Sequence, residues 1–265
     1  GVLRVASAGG GQGRPLARVT PLEVEGYVRR RTVLGKSPAT VTRSLAAIKS
    51  FYHYLLLQGE VSGNPARSVA PAKVERKLPQ ILTGREVELC LEQPDCSDLK
   101  GYRDRAMLEL LYATGIRVSE LIELDVDDLN LYAGVRHCAS KGKERVSPLY
   151  PAAIRALEEY LRNVRPQLIN EPDETALFVN MSGDRMSRQG FWKIIKYYGE
   201  KAGIQADITP HTLRHSFAAH LIRGGADIHA VQAMLGHSDS TTTHMYAAYS
   251  GNTVGETYRA ALPRK

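Results

Sequence analysis

The sequence is poor in cysteine. Its 265 residues include three, Cys90, Cys96 and Cys138, with no CxxC spacing. Three thiols make no disulfide framework, so they read as free thiols in a reducing compartment, and the chain as cytoplasmic and nucleoid-associated. Long hydrophobic runs are missing too. YHYLLL (52–57) and LELLYA (108–113) are typical, whereas a membrane span needs about 18–20 apolar residues, which excludes an integral membrane protein. Ala6-Ser7-Ala8 resembles a signal-peptidase site, but no apolar segment of the needed length precedes it, so no secretion signal is read. What remains is ordinary for a globular chain: 43% apolar and 24% charged residues, in a length that fits one or two domains.

Acidic residues are scarce in one region. Residues 1–77 hold 13 basic and 4 acidic residues, a net +9, whereas residues 78–265 hold 22 and 24, a net −2. The whole excess of +7 therefore lies in the first third, and nine of its 13 basic residues are Arg. This asymmetry points to a polyanion partner. DNA fits better than a membrane surface, because the charge is spread over helical segments and no basic amphipathic tail is present.

Residues 1–14 are rich in Gly, Ala and Ser and read as disordered or truncated. Thr20-Pro21 opens a helix, with Thr20 as N-cap. Ser37-Pro38 opens another, whose apolar positions Val41, Leu45, Ile48, Tyr52 and Leu55 make one buried stripe, closed by Gly59. Arg43 and Lys49 fall off that stripe, where a phosphate backbone is within reach. Residues 64–82 contain three prolines and four basic residues and read as an extended interdomain linker. Thr83-Gly84-Arg85-Glu86 is a capping-box start, so a second domain begins near residue 78.

That domain reads as mostly helical. Residues 102–113 form a helix ended by Gly115. Residues 135–149 form two short strands around the turn Lys141-Gly142-Lys143. Helices follow at about 151–164 and 187–202, with Leu177-Phe178-Val179 a short strand between them. Pro210 starts a helix running to about Arg223. Asp227 caps another, closed by Gly236. Ser240 is a candidate cap, and residues 252–261 a last helix.

The chemistry-bearing residues cluster in four blocks. TPHTLRHSFAAH (209–220) places His211 and Arg214 three apart on one helix face. His211, His215 and His220 also suggest a metal site, but the expected acidic partner and an HExxH pattern are missing. In LGHSDSTTTHMY (235–246), His237 follows a helix-ending Gly, and Tyr246 lies nine residues later in a polar context. In ATGIRVSEL (113–121), Arg117 directly follows a helix stop, a place suited to an anion pocket. Lys141 sits at the tip of the hairpin, with Lys143 as its alternative.

The order TGIRVSEL, SKGKERVSPL, HTLRHSFAAHL, MLGHSDSTTTHMY resembles the tyrosine recombinase (phage integrase) family, and within it most resembles the Xer site-specific recombinases. The resemblance covers roughly residues 20–265. It implies a mainly α fold: an N-terminal helical core-binding, SAM-like domain over residues 1–77, then a mixed, mostly helical catalytic domain with a small β-sheet and a C-terminal helix over residues 78–265. It implies DNA cleavage by Tyr246 as nucleophile, through a 3′-phosphotyrosyl link that later reseals, with no metal, ATP or other cofactor. Arg117 and Arg214 would neutralise the transition state. His211 would act as general base, Lys141 as general acid and His237 as a further donor to the phosphate. Glu120 would support the pocket beside Arg117, and Tyr249 is a neighbouring tyrosine without the family's spacing from His237.

The implied partner is double-stranded DNA with paired half-sites, bound by a homotetramer or by a heterotetramer with a related recombinase, through mainly phosphate contacts that include Arg43 and Lys49. The family's N-terminal domain begins with an additional helix, whereas here the helical signal starts near residue 16, so this domain reads as a truncated or short form. Two other functions compete. One is a type IB topoisomerase-like enzyme that relaxes supercoils as a monomer. The other is a DNA-binding protein without catalysis.

Overall fold

The computed structural model describes residues 18–70, 80–140 and 143–236. They fall into two compact units divided after Leu78. The first is built on α1 (Pro21–Val33) and α2 (Pro38–Leu57). Each helix starts where a short polar side chain supplies the acceptor that a helix N-terminus lacks. The Glu23 amide donates to Thr20 Oγ1 (3.3 Å) while the Thr20 amide donates to the Glu23 carboxylate (2.8 Å). At α2 the Thr40 amide donates to Ser37 Oγ (3.3 Å).

Val41, Leu45, Ile48 and Tyr52 form the buried stripe of α2. A small core joins Leu45, Ile48 and Tyr52 to Val24, Ala66 and Val69. Ala66 and Val69 lie inside the segment expected to be an extended linker, so residues 64–70 belong to this unit instead. Asn64 ties them down. Its Nδ2 donates to the Lys49 carbonyl (2.9 Å) and its Oδ1 accepts the Ala66 amide (3.0 Å). The far end of the expected linker is equally fixed, because Leu82 is buried and its amide donates to Ser216 Oγ (2.8 Å) in the second unit.

The second unit is organised around α4 (Leu99–Thr114), preceded by α3 (Gly84–Glu92). From Ala106 to Thr114 every residue of α4 is buried, as suits a helix surrounded on all sides. It packs against α6 (Pro151–Glu159) and α9 (Pro210–Arg223). The short α5 (Val118–Glu123) follows, then a three-stranded antiparallel sheet of β1 (Leu129–Asn130), β2 (Val135–Ser140) and β3 (Lys143–Pro148) in that order. β2 and β3 pair from Val135 with Pro148 to Ser140 with Lys143.

The helix expected over 151–164 departs from regularity. After α6 it widens into a π turn at Tyr160–Val164 and resumes as α7 (Arg165–Leu168). Pro166 accounts for this, since its ring has no amide hydrogen and crowds the carbonyl four residues earlier. Residues 177–179 are buried but form only an isolated bridge, Val179 with Arg185, rather than a strand. α8 (Arg188–Lys201) and α10 (Ile228–Leu235) complete the described elements. Among the described residues no helix is long and apolar enough to cross a membrane. The fold is mainly α with one small sheet.

Candidate active site

Three elements bring two arginines to one place. α4 ends at Gly115, which is left-handed (φ 56°), and the chain turns at once into Arg117, the N-cap of α5. A Cβ at Gly115 would lie 2.4 Å from Phe217 Cδ1 and 2.7 Å from Leu235 Cδ2. Glycine is therefore required both by φ and by the close approach of α9 and α10. Arg117 is held by Glu120 one turn later. The carboxylate accepts the Arg117 amide (3.0 Å) and Nη1 (3.0 Å). The Arg117 side chain remains 38% exposed, which leaves it a face for a ligand.

Arg214 comes from the middle of α9 and is only 6% exposed. Its Nη1 donates to the Gly115 carbonyl and its Nη2 to the Leu235 carbonyl (2.7 Å). Arg117 Nη2 donates to the neighbouring Gly236 carbonyl (2.9 Å). Both guanidiniums thus converge on the C-terminal turn of α10, where helix carbonyls carry partial negative charge and lack partners of their own. Carbonyl oxygens hold a guanidinium in place without cancelling its charge, and a pocket for a phosphate needs that charge.

His211 is exposed in the first turn of α9, whose start is fixed by the Thr212 amide donating to Thr209 Oγ1 (3.0 Å). His215 follows one turn later, half-buried. Burial pushes its imidazole below the ordinary 6.5, helped by the nearby charges of His211 and Arg214. His220 does a different job. Its Nε2 meets the Leu82 carbonyl (2.9 Å) and its Nδ1 meets the Tyr112 hydroxyl (2.7 Å). A carbonyl only accepts, so Nε2 carries the proton and Nδ1 accepts from Tyr112. Both nitrogens are spent inside the core, and burial lowers the pKa of this ring as well.

The structure thus brings together Arg117, Glu120 and Arg214, with His211 on the same helix as Arg214. Lys141, His237 and Tyr246 lie outside the described residues, as do Tyr249, the candidate cap Ser240 and the segment 252–261. The Lys143 side chain is not described either. In the first unit Arg43 is exposed on α2. Lys49 is half-buried, and its Nζ reaches the Arg67 carbonyl at 3.4 Å.

One face was not singled out from the sequence. On α8, Arg188, Gln189, Trp192, Lys193 and Tyr197 all point outward, Trp192 at 41% and Tyr197 at 51% exposure. Lys100 Nζ sits 5.3 Å from the Tyr197 ring centroid. The signal was present as Gln189, Lys193 and Tyr197 at four-residue steps.

Comparison with known proteins bears on the family of both units. Residues 80–252 match the phage integrase family, and residues 2–59 match the N-terminal SAM-like domain of phage integrases. A tyrosine recombinase XerD of Staphylococcus epidermidis is 48% identical over 232 residues, 87% of this chain and 79% of that protein. The XerD of Staphylococcus haemolyticus is 45% identical over 231 residues, 87% and 78% of the two chains. Among solved structures, XerA recombinase superposes with a TM-score of 0.58 at 29% identity, over 95% of this chain and 86% of that one. XerH bound to palindromic difH, a post-cleavage complex, superposes with a TM-score of 0.73 at 23% identity, over 88% and 70%. The order of the elements, the two convergent arginines and the matches over both units lead to one assignment: the chain belongs to the phage integrase family, the tyrosine recombinases.

Proposed function

We propose that Arg117 and Arg214 grip the scissile phosphate of a DNA duplex for attack by Tyr246, in the site-specific recombination that this tyrosine recombinase catalyses. The observation that carries this reading is the convergence of Arg117 and Arg214, from α5 and α9, on one turn. Charge grows on the non-bridging oxygens as the phosphorus becomes five-coordinate, and planar guanidinium forks match two such oxygens.

In the reaction the Tyr246 oxygen bonds to phosphorus as the P–O5′ bond breaks. His211 takes the tyrosine proton, and Lys141 delivers a proton to the 5′ oxygen. His237 adds a hydrogen bond to the phosphate, and Glu120 keeps Arg117 in register. One phosphoester replaces another, so the 3′-phosphotyrosyl bond retains the energy needed for resealing to a new strand. Neither a metal nor ATP enters these steps.

The duplex is held mainly through its phosphates, by the basic 1–77 region, including Arg43 and Lys49, and by the outward face of α8. Trp192 and Tyr197 give that face apolar and stacking contacts beside its cations. Recombination joins two duplexes with paired half-sites, on which the chain assembles as a homotetramer or as a heterotetramer with a related recombinase.

The test is trapping. Nicked duplexes with randomised arms let a short fragment diffuse away after cleavage. A covalent adduct that maps to Tyr246, forms in chelator and disappears in Tyr246→Phe is the expected result. DNA binding with no adduct under any condition would contradict the reading.

A further inference from the structure

We propose that Arg185 is a positioning residue for the cleavage step, holding Arg117 at a fixed distance from the outward face of α8. This rests on Arg117 gripping the phosphate and on α8 facing the duplex, as argued above. α5 has six residues, too few to hold a direction by their own hydrogen bonds. Its two ends therefore decide how it lies. At the first end Arg117 and Glu120 bond to each other. At the last end the carbonyls have no partner within the helix, and Arg185 supplies one. Its Nη1 donates to the Ile122 carbonyl (3.1 Å) and to the Leu124 carbonyl (3.0 Å), and its Nη2 donates to the Asp125 carboxylate. The Leu124 carbonyl also accepts the Leu177 amide (2.9 Å), and the Val126 amide donates to the Thr175 carbonyl (3.0 Å). The chain leaving α5 is thus fastened to residues 175–177.

The backbone of Arg185 is fixed as firmly as its side chain. It pairs with Val179 in an isolated bridge. The next amide, that of Met186, donates to the Phe178 carbonyl (2.9 Å). Ser187 then caps α8 by accepting the Gly190 amide (3.0 Å). Phe178 and Val179 are buried in the core of this unit, so the entry to α8 is anchored there. The main chain of Arg185 therefore sets where α8 begins, three residues before Arg188, while its guanidinium sets where α5 ends. α5 and α8 also pack against each other directly. The ion pair with Asp125 is partly exposed and adds little by itself. The grip is the pair of carbonyl bonds, which the charge of the guanidinium strengthens. A shift of about 1 Å in a group that meets the reacting atoms can cost about 100-fold in rate. One residue that joins the helix led by Arg117 to the helix facing the duplex removes that freedom.

The test is a mutant cycle read by the single-turnover rate of adduct formation on nicked duplex and by DNA affinity, both well below the melting temperature. Arg185→Met keeps an aliphatic stem and removes the donors. It is expected to lower the adduct rate about tenfold or more with affinity changed by less than about twofold. In an Arg117→Ala background the same substitution should cost less than about twofold, because the group it misplaces is gone. Arg185→Lys should stay within about threefold of the unsubstituted chain, because one nitrogen meets both carbonyls and an ammonium group offers several donors.

Equal losses in both backgrounds would overturn the proposal and make Arg185 a general stabiliser of the fold. So would a loss of affinity large enough to explain the rate, or Arg185→Lys falling as far as Arg185→Met. An unchanged rate in Arg185→Met would overturn it as well. Where Arg185→Met does not fold by thermal melting, Arg185→Gln carries the same cycle with the same outcomes. An unsubstituted chain that binds DNA and never forms an adduct refutes the functional reading itself, a result distinct from all of these.

Discussion

Two kinds of arginine stand in the second unit, and they differ in what faces them. Arg103 on α4 is 3% exposed and meets Asp104 through Nε (3.0 Å) and Nη2 (2.7 Å). Asp104 is fully buried and also accepts the Tyr198 hydroxyl (3.0 Å). That pair cancels its own charge and is finished as a structural unit. Arg214 is almost as buried but is held by the carbonyls of Gly115 and Leu235. Its neighbour Arg117 shares its carboxylate, Glu120, with its own amide. A buried carboxylate that takes two of its nitrogens closes Arg103 off, whereas Arg117 keeps an exposed face beside Glu120, and the carbonyls fix the geometry of both site arginines.

The two kinds should respond differently to substitution. Arg103→Met strands the Asp104 carboxylate in the core, so it should cost about 3–5 kcal/mol of stability by denaturant melts. Replacing both partners, Arg103→Met with Asp104→Leu, should recover most of that loss. Arg117→Ala should behave the opposite way, lowering the adduct rate about 100- to 1000-fold, some 2.7–4 kcal/mol, while its half-exposed position keeps the stability change small. An Arg117→Ala chain that melts as far down as Arg103→Met would erase the distinction.

Gly115→Ala sharpens the comparison from the backbone side. The added methyl meets Phe217 and Leu235, and the left-handed conformation strains it as well. A loss of about 1–3 kcal/mol is expected, with a slower adduct rate because the Gly115 carbonyl that holds Arg214 shifts. The smallest effect concerns His220, whose pKa is held below 6.5 by burial. The unfolded chain binds the proton more readily, so this contribution is complete above about pH 6.5 and is lost as pH falls from there toward the folded value. The slope is at most about 1.4 kcal/mol per pH unit. Thermal melts from pH 7.5 to 5.5 should show it, and His220→Gln should reduce it, leaving the part that half-buried His215 contributes.

Local features of the fold were legible in the sequence, and long-range ones were not. Thr20, Ser37, Thr83 and Asp227 cap their helices as read, because a cap depends on residues three apart. The hairpin strands around residues 141–142 and the stops at Gly115 and Gly236 are similarly local. The segment that reads as a linker is folded at both ends, because Asn64 finds its partner at Lys49 and Leu82 finds its own at Ser216. The π turn follows from Pro166, whose ring acts on a carbonyl four residues earlier. At the site, the residue types and their order were visible, but the carbonyls that hold Arg117 and Arg214 lie 119 and 21 residues away along the chain. No spacing rule reaches that far.

On the proposed reading, Arg117 and Arg214 act on the charge of the scissile phosphate. A nicked duplex whose scissile phosphate is replaced by methylphosphonate removes that charge and keeps the geometry. On phosphate, Arg117→Ala should be slower than the unsubstituted chain by about 100-fold or more, and on methylphosphonate by less than about tenfold, because there is less charge to neutralise. The same penalty on both substrates would contradict the account and make the arginines scaffolding.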